Sequence, residues 1–123
     1  MLFNFKLFSN FVVLAYRDIE HNLPLGQTYS LKEVLDIFWH YFKLYECTFG
    51  EQHPNIRPAQ IRRIIEAMPY IDEYGGGDIS LDPDDYEALI DAHFQTQYRS
   101  CDYNINHFFS GDIRLMRYYE NLY

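Results

Sequence analysis

Three helix starts, each followed by an apolar stripe at helical spacing, constrain this chain more than any other feature. Ser30-Leu31-Lys32-Glu33 has the form of a capping box, in which the serine hydroxyl and the glutamate three residues on take up each other's free backbone amides. Leu31, Val34, Leu35, Phe38, Phe42 and Tyr45 then recur every three to four residues, which predicts a helix from about Leu31 to about Cys47. Trp39, His40, Tyr41 and Lys43 either widen that stripe or point outward, so one flank is expected to carry exposed aromatic surface.

The second start is Pro58, which needs no amide partner at a first helical position; Ile61, Ile64, Ile65 and Met68 supply the stripe, and Pro69 ends it. Asp82-Pro83 is the third, with Asp82 as N-cap and Asp84, Asp85 and Glu87 set against the positive end of the helix dipole. Its inner stripe reads Tyr86, Leu89, Ile90, His93 and Phe94, and it is expected to fade between Tyr98 and Asp102. From Asn104 a last helical region is expected to bury Ile105, Phe108, Phe109, Ile113, Met116, Tyr119 and Leu122, with a bend or restart at Ser110-Gly111-Asp112. The pattern predicts an all-α fold, a single small domain of four to five helices with short connections over residues 29–123.

Residues 1–28 are less determined. Leu2 to Tyr16 is strongly apolar but is interrupted by Asn4, Lys6, Ser9 and Asn10 and is too short to cross a membrane as a helix. It lacks the basic lead and the small-residue cleavage site of a signal peptide, so a cytoplasmic location is the expectation. Strand-like spacing (Phe3, Phe5, Leu7, Phe11) competes with helical spacing (Leu7, Phe8, Phe11, Val12, Ala15), and helix is preferred. A reading-frame extension that adds little to the domain is the other view of this segment.

Charge is unevenly placed in the 123 residues, whose formal net charge is −8. Met1 to Pro69 holds 7 basic and 7 acidic residues, while Tyr70 to Tyr123 holds 3 and 11, and eight carboxylates fall between Asp72 and Asp91 without a Lys or Arg. Such a surface repels phosphate backbones and allows a basic protein partner or a cation. The twelve tyrosines exceed what a core of this size needs, and tyrosine favours places where one end is apolar and the other wet, which is the character of interaction surfaces. Tyr74, Asp84, Asp85, Glu87, Asp91, Tyr98 and Tyr118 are therefore the candidate interaction surface. The competing reading has the tyrosines ringing the core and the acids serving as helix caps.

The sequence offers little for catalysis or cofactors. Asp72 to Pro83 places a glycine sixth and an isoleucine eighth, as a calcium loop requires, but Tyr74, Gly76 and Pro83 occupy positions that need oxygen ligands, so calcium binding is not expected. Arg57, Arg62 and Arg63 would face DNA if the first two helices formed a helix-turn-helix, yet the connection is too long and the net charge is adverse, so nucleic acid is not the expected partner. None of the five histidines has metal-ligand spacing, and His93 is expected to be a satisfied, half-buried side chain. Cys47 and Cys101 have no disulfide or ligand pattern and are expected to be buried or idle thiols; nothing positive supports pairing Cys101 with His107, or Cys47 with His40, as a nucleophile. No cofactor, metal or catalytic residue is assigned.

Arg57-Pro-Ala-Gln-Ile-Arg-Arg-Ile-Ile-Glu-Ala-Met-Pro69, the Asp82-to-Tyr86 helix start and Cys101-Asp-Tyr-Asn-Ile-Asn-His-Phe-Phe-Ser-Gly-Asp-Ile-Arg114 resemble segments of small uncharacterised proteins carried on conjugative transposons of gut Firmicutes. The resemblance covers roughly Tyr29 to Tyr123 and implies a cytoplasmic bacterial accessory protein, with no catalytic residue to carry over. The resulting expectation is a non-enzymatic protein–protein interaction or accessory module, self-association included. An acidic nucleic-acid mimic that inhibits a host nuclease or regulator is the first alternative, and a small DNA binder acting through residues 58–68 is the second.

Overall fold

The protein is described by a computed structural model over residues 4–20, 29–71, 80–98, 101–110 and 113–121. In chain order the elements are α1 (Phe5–Glu20), α2 (Leu31–Phe49), α3 (Pro58–Ala67), β1 (Tyr70–Ile71), β2 (Ser80–Leu81), α4 (Pro83–Gln95), α5 (Ile105–Phe108) and α6 (Ile113–Asn121). The fold is all-α, and its strands are a two-residue antiparallel clip that sets Tyr70 opposite Leu81 and Ile71 opposite Ser80.

The caps explain the helix limits. Ser30 and Glu33 close a complete capping box on α2, and Gly50 ends it at a φ of 71°, which favours a residue without a Cβ. Asp82 and Asp85 close the equivalent box on α4. The apolar amino-terminal segment is a helix: Phe8, Val12, Tyr16 and Ile19 lie in one core with Phe38, Ile61 and Ile65. The principal packings are α1 on α3, α2 on α4, and α4 on α6.

Tyrosines hold this core from inside. The Tyr29 hydroxyl reaches Leu81 O at 2.7 Å and Met68 O at 3.1 Å, Tyr86 donates to Met68 O at 2.5 Å, Tyr41 to Tyr103 O at 2.6 Å and Tyr16 to Tyr29 O at 2.6 Å. Each buries a ring while its hydroxyl meets a main-chain carbonyl away from water. Burial raises the Tyr29 and Tyr41 phenols far above their ordinary value and pushes Tyr86 up to about 12, so all three remain donors.

The carboxy-terminal third departs from expectation. α4 ends at Gln95 rather than near Tyr98, and Tyr103, at a φ of 59°, turns the chain back while its hydroxyl donates to Thr96 O and accepts from Tyr98 N at 2.8 Å. Met116 and Tyr119 are exposed, whereas Arg114 and Arg117 are buried. The reason is phase: the helix restarts as α6, as expected, but with a rotation that does not carry the stripe of α5 forward and that turns two guanidinium groups inward. Arg114 donates to Ala67 O and, at 3.0 Å, to Tyr86 Oη; Arg117 donates through Nε to His93 Nδ1 at 3.0 Å and lies 3.5 Å over the Tyr98 ring.

His93 is fully buried rather than half-buried. Because Nδ1 accepts from an arginine that is always protonated, the neutral ring carries its proton on Nε2, which has no hydrogen-bond partner among the described residues. Burial first, then the charges of Arg117 and His107, lower its pKa to about 3. His53 is also buried, but both of its nitrogens are used, Nδ1 on Pro54 O at 2.8 Å and Nε2 by Ile105 N at 2.9 Å, which fixes the start of α5. Cys47 is exposed rather than buried, being on the outer side of the last turn of α2, and Cys101 is half-buried; both are free thiols.

Candidate functional site

α2 and α4 are neighbours that run in the same direction, since His40 meets Asp91 and Tyr41 meets Phe94 across the pair. Parallel neighbours bring two helix amino ends to one edge, where carboxylates offset the positive ends of two dipoles. Between the helices lies a groove of about 340 Å³ lined by Glu33, Asp36, Ile37, Trp39 and His40 from α2 and by Pro83, Asp84, Glu87 and Ile90 from α4.

Its floor is apolar, because Ile37 and Ile90 are buried. Glu33 and Asp36 stand on one side and Asp84 and Glu87 on the other, with no Lys or Arg among the lining residues. Trp39 is 51% exposed at the edge, and His40 Nε2 lies 2.7 Å from Asp91 Oδ1, joining the two helices. Helix starts account for part of this charge: Glu33 accepts from Ser30 N at 3.0 Å, and Asp84 lies in the first turn of α4. Asp36 lies beyond the first turn of α2, and Glu87, expected at the positive end of the dipole, lies just beyond the first turn of α4, where the dipole has faded. Asp36 has Lys32 at 3.6 Å, but both side chains are exposed and such a pair holds little energy.

Of the residues singled out from the sequence, the structure brings Asp84 and Glu87 into this groove and Asp91 to its edge through His40. Asp85 is used in the cap, where its carboxylate accepts from Asp82 N at 3.0 Å; partial burial is the largest of the effects raising its pKa. Tyr98 belongs to a different region, under Arg117 and 3.0 Å from Glu120 Oε2, and Tyr118 is half-buried beside Tyr119. Tyr74, and the calcium-loop reading with it, lies outside the described residues. Glu33, Asp36, Trp39 and His40 were not foreseen as one site; the available signal was that 33, 36 and 40 repeat the spacing of 84, 87 and 91, which puts three polar residues on one face of each helix.

The three arginines do not form one patch. Arg62 is held by Asp18 of α1 and by Glu66 at 2.9 Å, Arg63 borders a cleft with Asn106 and Ser110, and Arg57 is exposed ahead of α3. Among the described residues no group of three or more His, Cys, Asp or Glu is placed to hold a metal ion, and no helix is long and apolar enough to cross a membrane. Compared with protein-family models, curated proteins and solved structures, the chain matches none.

Proposed function

We propose that the protein is a non-enzymatic interaction module that receives a basic, amphipathic segment of a protein partner in the α2–α4 groove, within the bacterial mobile-element setting that its resemblance implies. The observation that carries this reading is the combination of an apolar floor, carboxylates beyond the reach of the helix caps and an exposed Trp39 in one concave site. Lysine and arginine stems cover apolar surface while their heads reach carboxylates, and a cation over a tryptophan face gains further attraction. Carboxylates on both sides steer such a segment inward and reject acidic competitors.

The test is calorimetry with two synthetic helical peptides of identical apolar pattern, one with Lys and Arg on its flank and one with Glu in their place. The basic peptide is expected to bind, more weakly as salt rises, and the Asp36→Lys, Glu87→Lys double variant to lower its affinity at least tenfold. Equal binding of both peptides, or no effect of the charge reversal, overturns the proposal.

A further inference from the structure

α1 is apolar on two sides. Its inner stripe is in the core, yet Leu7, Phe11 and Leu14 are 53%, 40% and 65% exposed at the i, i+4, i+7 positions of one outer face. A helix apolar on both sides is normally covered on both, and such a triplet is the pattern of a helix that seats in a groove. Lys6, Asn10 and Arg17 follow one flank of this stripe, at spacings of four and seven residues, and neither cation makes an ion pair among the described residues. Asp18, four residues beyond Leu14 in the same stripe, is engaged by Arg62.

This outer face has the chemistry that the groove asks of its occupant: three apolar side chains for the Ile37 and Ile90 floor, and two cations without an ion pair among the described residues for the carboxylates beside it. We infer that the partner segment is α1 of a second copy of this chain, docked by its Leu7–Phe11–Leu14 face into the α2–α4 groove. The inference rests on the proposed function of that groove and names its occupant. Lys6 and Arg17 are about 16 Å apart along the helix, while the carboxylates of Glu33 and Asp36 span about 5 Å and those from Asp84 to Asp91 about 10 Å, so two extended cationic side chains close on the longer row from its ends. The net charge of −8 opposes association at long range, but at physiological salt charges more than about 8 Å apart are largely screened while contact pairs are not. Two different surfaces meet, so the contact either runs head-to-tail into rings or open chains or is made twice, reciprocally, in a two-fold dimer.

Contact between two unlike surfaces has a signature that a dimer through one self-complementary patch lacks. A variant without the outer face (Leu7→Glu, Leu14→Glu) and a variant without the groove charge (Asp36→Lys, Glu87→Lys) each lose one surface and keep the other. By sedimentation velocity the wild-type full chain is expected to associate with rising concentration, each variant alone to be monomeric, and an equimolar mixture to form a 1:1 dimer that grows no further. Circular dichroism establishes that each variant is folded; should either double variant fail, the milder exposed substitutions Leu14→Gln and Glu87→Gln replace it, each expected to weaken wild-type association at least fivefold. A wild-type chain that stays monomeric, a groove variant that still associates alone, or a mixture that stays monomeric overturns the inference. Binding of the basic peptide by a chain that does not self-associate would remove this inference and leave the groove's function standing.

Discussion

Replacing His93 by glutamine is predicted to remove a large part of the protein's acid sensitivity. A histidine whose folded pKa is about 3 against an unfolded value of 6.5 is neutral in the native state, and the unfolded chain binds its proton first. Its contribution is complete above pH 6.5 and is lost as pH falls from 6.5 towards 3. Each unit in that window is worth about 1.4 kcal/mol, so from pH 8 to pH 5 this one ring costs about 2 kcal/mol. Glutamine keeps an acceptor for Arg117 Nε and does not titrate. Urea unfolding of both proteins at pH 8 and pH 5 isolates the effect, because every other titrating group is common to the two. The wild type should lose about 2 kcal/mol more than the variant over that interval. Equal losses would refute the assignment of a neutral, buried His93 and with it the packing of α6.

Three further substitutions test the construction of the fold. Phe8→Ala should destabilise by about 3–5 kcal/mol, as for a large core ring, and a thermal or urea midpoint close to wild type would mean that α1 does not belong to the core. Tyr41→Phe leaves Tyr103 O without its buried donor at an unchanged ring position, for an expected loss of about 1–3 kcal/mol by urea unfolding; a neutral result would show that water replaces the hydroxyl. Ser30→Ala removes one half of the α2 capping box and should cost about 1 kcal/mol, seen as a lower thermal midpoint with the helical spectrum retained.

The helix starts were legible because capping is local: Ser30 with Glu33, Asp82 with its first-turn acids, and Pro58 and Pro83 at first positions mark the observed starts of α2, α3 and α4. The phase of α6 was not, because the restart expected at Ser110-Gly111-Asp112 leaves the rotation of the following helix unset, and only tertiary partners such as Tyr86 Oη and His93 Nδ1 make buried arginines affordable. Tyrosine number alone could not separate core from surface, since a hydroxyl that meets a buried carbonyl from a residue 39 or 52 positions away leaves no local trace. The groove escaped for the same reason. Its two sides are 51 residues apart in the chain, as in the His40–Asp91 pair, and acids that cap helices look in sequence like acids that line a site.

Trp39 is the single tryptophan of the chain and stands at the edge of the groove, so its emission reports directly on occupation. The decisive measurement is a titration of the dilute, monomeric protein with the basic amphipathic peptide, followed by Trp39 fluorescence. A saturable shift of the emission to shorter wavelength, weakened by salt and abolished in the Asp36→Lys, Glu87→Lys variant, is the predicted result. An emission unchanged at saturating peptide, or shifted equally in the charge-reversed variant, would contradict the claim that this groove is the binding site.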